Sequence, residues 1–371
     1  MQEYFYRNSN REKWNGFVSE VSECGWLHSW DAIRYGCKFN QIIDNSSFIM
    51  LDNKDIPLSV CILAAYVNDK NEAFLSFGGL ACAIPAFSKL IKSRRRKVEK
   101  IVFSIILDYC KKYNIQSITL SQPAVNIEES INKHVFANNK FLLQKYNFIP
   151  HVINTSIITL SQDNQELYSN VSQSHSKLIK RAKKNGLEVE VINKQAYDNE
   201  KKIVEALYEF QDVHLQAAGR KTRPQSTWDA MKDALIAGMA SLFVEYTESN
   251  QPISYLFCGE FRKSAFGWSQ ANVPEYGKKI SPRHLLEWKA IQYYKQNGFS
   301  FYEIGEVFYS RQLFSSPTEK EKSISVFKER YGGDLFPKIT WEGFIREEIK
   351  QKLLRDEFVK FEQELKCFQL I

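Results

Sequence analysis

The fold is decided by LFVEYT (242–247), ISYLFCGE (253–260) and SAFGWSQA (264–271), and by the segments that follow them. All three are rich in β-branched or aromatic residues and are separated by turn residues, a pattern that predicts an antiparallel meander. Pro282–Gln296 then has a helical pattern, and Ser300–Ile304 returns to a short strand. This order predicts an α/β fold with a mixed, largely antiparallel sheet and helices on its faces.

The first half of the chain has the same order of elements. A meander is predicted over Phe48–Leu51, Leu58–Val67 and Glu72–Phe77. An amphipathic helix over Arg94–Tyr113 and a short strand at Ser117–Leu120 follow. We interpret this as a tandem duplication of one α/β unit, the alternative being chance recurrence of a common pattern.

The length and composition fit a globular protein of two domains. The chain has 371 residues, a length that exceeds one ordinary domain. Its composition, 44% hydrophobic and 25% charged, excludes a disordered chain. We predict domains at 1–165 and 166–345, followed by a C-terminal helix at 346–371. No uncharged apolar run approaches a membrane span, and the N-terminus lacks a secretory pattern, so we expect a cytoplasmic protein. The 7 cysteines contain no C-x-x-C pair, which argues against a disulfide framework or a metal site and indicates core residues.

The positive charge is concentrated in two segments. The 50 basic and 43 acidic residues give a net charge of +7, with clusters at Lys89–Lys100 and Lys177–Lys184. Such faces are usually solvated, but tRNA would be the natural partner if they bind a ligand. A non-catalytic RNA-binding module is therefore one hypothesis. Against it, the aromatic residues follow apolar stripes and do not accompany the basic residues on an exposed sheet.

One helix start has the chemistry of an anion site. The sequence lacks G-x-G-x-x-G, Walker A, G-x-S-x-G and H-E-x-x-H motifs, so several common enzyme classes are poor first guesses. Ser281-Pro282-Arg283-His284 predicts a helix that begins with Ser281 as N-cap and Pro282 in the first turn. Exposed amide groups beside Arg283 and His284 would suit a phosphate. The alternative is a well-capped structural helix.

Several stretches together resemble a known family. FYEIG (301–305) is followed after a loop by ISVFKERYGG (324–333), and LIKRAKKNG (178–186) and Ser281–Lys289 precede them in order. This series resembles the FemABX-type, tandem GNAT-fold acyltransferases over about Leu178–Pro337. The first half is similar only in its order of elements.

The resemblance implies an amide-forming acyltransferase. Peptidoglycan-bridge enzymes of this type use aminoacyl-tRNA, and related tandem GNAT proteins use acyl-CoA. The sequence lacks both the Q/R-x-x-G-x-G/A loop of acetyl-CoA-dependent proteins and a long helical-hairpin insertion. We expect acyl-CoA as co-substrate, with aminoacyl-tRNA as the alternative and no tightly bound cofactor. The expected acceptor is an amino sugar, nucleotide- or lipid-linked, or a peptidoglycan precursor in bacterial cell-envelope biosynthesis.

The candidate catalytic residues are Lys328, Glu303 and Glu306. Lys328 matches the family's lysine, which contacts substrate phosphate, and its ammonium group is suited to stabilise an oxyanion. Glu303 and Glu306 flank Gly305 at the end of a predicted strand, where a carboxylate can accept the proton of an amine. The alternatives are a surface lysine and carboxylates paired with structural arginines.

Further candidates would bind the acceptor. Arg220 and Arg223 lie in a loop punctuated by glycine and proline, and arginine binds carboxylates and phosphates bidentately. Trp268, Asn272 and Tyr276 form a polar and aromatic strand end of the type that lines sugar or peptide pockets. A solvated loop and ordinary strand packing are the alternatives.

Overall fold

A computed structural model describes residues 4–7, 10–91, 93–124, 142–276, 280–310 and 316–368. The chain forms two compact units. The first unit contains residues 1–154, 308–323 and 337–371, and the second contains 155–307 and 324–336. After residue 307 the chain leaves the second unit, and it returns to it through the short segment 324–336. The predicted candidate site residues all belong to the second unit.

The first half of the chain contains most of the elements of the first unit. Its strands are β1 (Tyr4–Arg7), β2 (Ile42–Asn45), β3 (Phe48–Leu51), β4 (Pro57–Cys61), β5 (Ala64–Val67), β6 (Ala73–Leu75), β7 (Cys82–Ala83), β8 (Ala86–Phe87) and β9 (Ile115–Gln122). Its helices are α1 (Arg11–Glu20), α2 (Trp30–Phe39) and α3 (Arg95–Lys112).

The second half begins with a strand that passes from the first unit into the second. Its strands are β10 (Ile149–Thr159), β11 (Glu188–Ile192), β12 (Ala240–Tyr246), β13 (Pro252–Phe261), β14 (Ser264–Asn272), β15 (Phe301–Val307) and β16 (Asp334–Phe344). Its helices are α4 (Asn164–Asn170), α5 (Gln173–Lys184), α6 (Glu200–Ala218), α7 (Gln225–Ile236), α8 (His284–Gln296), α9 (Glu319–Glu329) and α10 (Glu347–Phe368).

The first unit contains a parallel crossover within a largely antiparallel arrangement. One small sheet has the order β1-β3-β4-β8, and further strands follow the order β16-β9-β6-β5-β2. β6 and β9 run parallel and are connected through α3. The buried stripe of α3 includes Val98, Val102 and Ile106, which recur at helical spacing. The amphipathic helix and the strand after it are therefore confirmed.

The second unit repeats this arrangement. β11, β12, β13 and β14 pair antiparallel in order, and β15 then pairs parallel to β14. α8 provides the crossover and buries Leu285, Trp288 and Ile291 on one face. The predicted order of meander, helix and strand is confirmed in the second half. In the first half the helix, the strand after it and the parallel pair are present, but the predicted meander is wrong. Its middle strand, Leu58–Val67, is interrupted at Ile62 and Leu63, so that β4 pairs with β3 in one sheet and β5 pairs with β6 in another.

The two parallel strands of the second unit separate soon after they meet. Their register extends only from Ser264–Phe301 to Phe266–Glu303, although β14 continues to Asn272 and β15 to Val307. β14 has a bulge at Trp268, because Gly267 and Ser269 oppose the consecutive residues Cys258 and Phe257 of β13. The bulge follows the last residue of β14 that pairs with β15 by two positions. Bulges redirect side chains, so this edge of the sheet can present groups to a ligand.

The described cysteines and helices have the properties that the sequence predicted. Within the described part of the chain the cysteines are free thiols, and five of them are buried: Cys24, Cys61, Cys82, Cys110 and Cys258. Burial raises the pKa of Cys110 to about 12, as expected of an inert core thiol. None of the described helices combines the length and the apolar character needed to cross a membrane.

Candidate active site

Lys328 lies beside the end of β15. Its Nζ donates to the carbonyl oxygen of Glu306 at 2.7 Å. Gly305 has a φ of +126°, and a Cβ at this position would lie 3.0 Å from Lys328 Nζ. Glycine therefore supplies both the backbone conformation and the space for the ammonium group. Lys328 therefore lies beside the FYEIG strand.

The charge of Lys328 is poorly solvated. Burial and the positive charge of Arg283 lower its pKa, while the carboxylates of Glu306, Glu287 and Glu303 act in the opposite direction. A buried ammonium group is weakly hydrated and interacts strongly with charge that develops nearby. Lys328 is thus a half-buried cation and not a solvated surface lysine.

Glu303 is held in place by a neighbouring strand. Thr155 of β10 donates its hydroxyl hydrogen to Glu303 Oε1 at 2.7 Å, and Thr155 is fully buried. The bond fixes one carboxylate oxygen on the β15 edge that also carries Gly305. Glu303 and Lys328 are electrostatically coupled, since the carboxylate raises the pKa of the lysine. A proton acceptor and a cationic hydrogen-bond donor therefore lie in one region.

Arg283 forms a buried ion pair at the start of α8. Its guanidinium donates to Glu287 Oε2 at 3.2 Å and lies 4.5 Å from the ring centre of Phe327. The other oxygen of Glu287 accepts a hydrogen bond from the Tyr302 hydroxyl at 2.5 Å. Glu287 is fully buried, so its partners compensate a charge that water cannot reach.

The predicted N-cap of this helix is wrong. α8 begins at His284, and Arg283, with a φ of +89°, precedes it in the place predicted for Ser281. The backbone N–H of Arg283 donates to Glu245 Oε2 at 2.6 Å. Glu245 comes from β12, 38 residues earlier in the chain, and is fully buried. The amide of Arg283 thus faces a carboxylate of the protein and is not exposed to solvent.

His284 lies in a cluster of rings beside Lys328. Its ring is 4.6 Å from that of His175 and 5.3 Å from that of Phe327. His175 Nε2 is 3.2 Å from the carbonyl oxygen of Phe327, and burial lowers its pKa to about 4. The neutral His175 therefore donates to Phe327 and ties α5 to the residue before Lys328. Tyr331 extends the cluster by donating to the carbonyl oxygen of His284 at 3.2 Å.

A second cluster contains Arg223. Its NH2 group lies 3.2 Å from His214 Nε2 and 3.1 Å from Ser269 Oγ, and its guanidinium is 4.9 Å from the Trp228 ring centre. Burial and the charge of Arg223 lower the pKa of His214 to about 4, so the ring accepts from Arg223. Ser269 follows the bulge residue Trp268, and two of the predicted binding residues are therefore close together.

The other predicted binding residues lie apart from these clusters. Arg220 is exposed at the end of α6. Asn272 accepts a hydrogen bond from Ser254 at 2.7 Å, and Tyr276 donates to Gln251 at 2.7 Å. Tyr276 also lines an open cavity of about 500 Å³ together with residues of the β12–β13 turn and the end of α5: Asn185, Leu187, Thr247, Glu248, Ser249 and Ile280.

Three site residues escaped the sequence analysis. Glu287 follows Arg283 by four residues on a helix, a spacing that predicts an ion pair. Thr155 and Glu245 gave no such signal, because they approach the site from distant strands. Among the described residues no group of three or more histidine, cysteine or acidic side chains is placed to hold a metal ion.

Comparison with known proteins identifies a domain in the second unit. Residues 171–307 match the family model of an acetyltransferase (GNAT) domain, and this segment lies within the second unit. A search with the sequence found no similar protein of curated function. The matched segment includes β14, β15 and the start of α8, so the domain model covers the strand separation and Glu303, Gly305 and Glu306.

Solved structures share the fold over nearly the whole chain. FemX has a TM-score of 0.64 at 12% identity, with 95% of this chain and 99% of that chain covered. L-PGS from Bacillus licheniformis has a TM-score of 0.54 at 12% identity, with 95% and 97% covered. A tandem GNAT protein from the clavulanic acid biosynthesis pathway has a TM-score of 0.53 at 9% identity, with 92% and 98% covered.

These similarities define the class of protein. The chain has the tandem GNAT fold of FemABX-type proteins, as its sequence predicted. Residues 171–307 form a GNAT-type acetyltransferase domain. This confirms the predicted enzyme class, an acyltransferase, without identifying a substrate.

Proposed function

We propose that the second unit transfers an acyl group from an activated ester or thioester to the amine of a small acceptor. The position of Lys328 carries this proposal, since its ammonium group lies against Gly305 and Glu306 at the end of β15. The acceptor is an amino sugar, nucleotide- or lipid-linked, or a peptidoglycan precursor. The similarity to FemX supports a place in cell-envelope biosynthesis.

The proposed chemistry uses two groups of the site. The amine nitrogen attacks the carbonyl carbon, and the Lys328 ammonium donates a hydrogen bond to the oxygen that becomes negative. Glu303 accepts the proton that the amine loses, and Thr155 holds its carboxylate in position. The carbon–oxygen or carbon–sulfur bond then breaks, and the leaving group takes this proton from Glu303 and departs as an alcohol or thiol. Glu306 anchors Lys328 through its backbone carbonyl.

The donor is the second element of the proposal. The sequence favoured acyl-CoA, with its diphosphate at the start of α8, but a buried carboxylate occupies that position. α5 offers a cationic surface instead, because Lys177, Arg181 and Lys184 recur at helical spacing and are all exposed. An aminoacyl-tRNA donor fits this face, since RNA backbone phosphates bind rows of cations. We therefore place aminoacyl-tRNA ahead of acyl-CoA.

A direct comparison of the two donors tests the function. Labelled aminoacyl-tRNA and labelled acyl-CoA are each incubated with amino-sugar acceptors, and the amide product is measured by mass spectrometry. We expect amide formation from the tRNA ester and a steep loss of tRNA binding as salt rises. The Lys177→Ala/Arg181→Ala variant should weaken tRNA binding, whereas Lys183→Ala, which lies off that face, should not. Product from neither donor would contradict the proposed function.

A further inference from the structure

The start of α8 is occupied by a carboxylate of the protein. Glu245 Oε2 accepts from the backbone N–H of Arg283 at 2.6 Å. The backbone N–H of Leu286 also stabilises the charged carboxylate, although burial is the larger influence and raises the pKa of Glu245 to about 7. Two amide groups at the start of the helix, those of Arg283 and Leu286, are therefore directed to a side chain from β12.

The side chain of Arg283 also has partners inside the protein. It pairs with Glu287 at 3.2 Å and lies over the ring of Phe327. It is only 8% exposed. The amide of Arg283 and one nitrogen of its guanidinium group therefore already have a carboxylate partner inside the protein, while the buried Nε has no hydrogen-bond partner among the described residues.

This arrangement disfavours a second anion. A free helix N-terminus attracts phosphate because its amide groups have no partner. Here the amides of Arg283 and Leu286 already face Glu245, and a second buried carboxylate, Glu287, lies nearby. A diphosphate at this position would have to displace the Glu245 carboxyl group from the amides that it occupies. Any negative charge on Glu245 would also repel it strongly in this poorly solvated interior.

We propose that Glu245 is a donor-specificity residue, which excludes diphosphate-bearing donors such as CoA from the start of α8. The phosphate groups of the true donor bind at another surface of the chain. The inference rests on the proposed function only in treating the excluded molecule as a donor, because the exclusion itself is a matter of binding.

Pyrophosphate and CoA serve as the probes. Binding to the wild-type protein, Glu245→Ala and Glu245→Gln is measured by calorimetry. Occupation of the helix start is followed through the ¹⁵N amide signal of Leu286, assigned by its loss in Leu286→Ile. Glu260→Gln is the matched control, because Glu260 is another carboxylate with a pKa raised by burial, and it bonds to Tyr294 near the opposite end of α8.

The expected outcomes separate the alternatives. Neither probe should shift the Leu286 signal of the wild-type protein. Glu245→Ala should bind the probes about tenfold more tightly than the wild-type protein, or better, and this binding should shift the Leu286 signal. Glu245→Gln, which keeps the shape and removes the charge, should gain less, and Glu260→Gln should gain nothing. A saturable shift at Leu286 in the wild type would overturn the proposal. So would the absence of any gain in whichever Glu245 variant is folded. Because no turnover is measured, these results do not depend on the proposed reaction.

Discussion

In both units an arginine at the start of the crossover helix pairs with a glutamate four residues later. In the first unit Arg95 pairs with Glu99 four residues later and lies 4.9 Å from the ring centre of Phe87. In the second unit Arg283 pairs with Glu287, again four residues later, and lies 4.5 Å from a phenylalanine ring. Each helix leads to a strand that runs parallel to an earlier strand of the same sheet. The arginine–glutamate pair thus recurs at both helix starts, although its phenylalanine comes from a strand before the helix in the first unit and from a helix after it in the second.

The two helix starts differ in how their charges are balanced. Arg95 bonds to two carboxylates, Glu23 and Glu99, each at 2.7 Å. Arg283 bonds to Glu287, and its charge lowers the pKa of the nearby Lys328. The first unit thus has one cation between two carboxylates, whereas the second has two neighbouring cations, Arg283 and Lys328, among several carboxylates in a poorly solvated site. In the proposed function, the pair of the second unit lies beside a reacting group, Lys328, whereas the pair of the first unit has no proposed reacting group beside it.

The largest expected effect comes from breaking the buried pair of the second unit. Glu287→Gln leaves Arg283 buried with its charge uncompensated, so we expect a loss of about 3–5 kcal/mol in the free energy of unfolding. Glu99→Gln should lose only about 1–2 kcal/mol, because Arg95 keeps its bond to Glu23. Urea titrations of both variants measure the difference. The exposed Glu347→Gln is the control, and equal losses for Glu287 and Glu99 would contradict the contrast.

Lys328→Met sharpens the comparison at the level of catalysis. Methionine keeps most of the volume of the stem, so the fold should survive. The loss of the ammonium group should cost about 2.7–4 kcal/mol of transition-state stabilisation, a fall of roughly a hundredfold to a thousandfold in turnover. Steady-state kinetics and thermal unfolding are measured together. Lys320→Met, an exposed position on the same helix, should turn over normally. Normal turnover in Lys328→Met would rule out the catalytic role.

The sequence predicted the features that depend on local pattern. Strand and helix periodicity located the meander of the second unit, α3 and α8, and the FYEIG and FKERYGG motifs located Gly305 and Lys328. It failed where distant segments decide the geometry. The residue before α8 is Arg283 and not Ser281, because Glu245 from another strand receives the amide that the cap would have satisfied. Hydrogen bonds across 38 residues leave no periodic signal in the sequence.

Arg223→Ala tests whether the second unit also binds the acceptor. Loss of a charge-assisted contact should raise the apparent KM for the acceptor roughly tenfold to a hundredfold, equivalent to about 1.5–3 kcal/mol. Arg220→Ala is the matched control, because it removes the same charge from the same loop at an exposed position, and it should change KM little. An unchanged KM in Arg223→Ala, or a general loss of stability, would show that its bonds to His214 and Ser269 are purely structural.

The smallest effect concerns a pair of threonines that repeats between the units. Thr155 donates to Glu303 at 2.7 Å in the second unit, and Thr119 donates to Glu342 at 3.0 Å in the first. In each case a threonine and a glutamate on neighbouring strands meet beside the parallel pair. The same contact thus occurs once beside Lys328 and once in the unit outside the GNAT match.

Valine replaces the hydroxyl with a methyl group of similar volume, so each substitution removes little more than the hydrogen bond. If Glu303 accepts the amine proton, Thr155→Val should lower turnover about fivefold, corresponding to about 1 kcal/mol of lost orientation. Thr119→Val should change stability by a similar amount and leave turnover intact, because Glu342 has no part in the proposed reaction. Matched pH profiles of turnover separate a change in the proton acceptor from simple destabilisation, since only the former moves the acidic limb. Equal loss of turnover in both variants would mean that the two units contribute alike, and the contrast between them would fail.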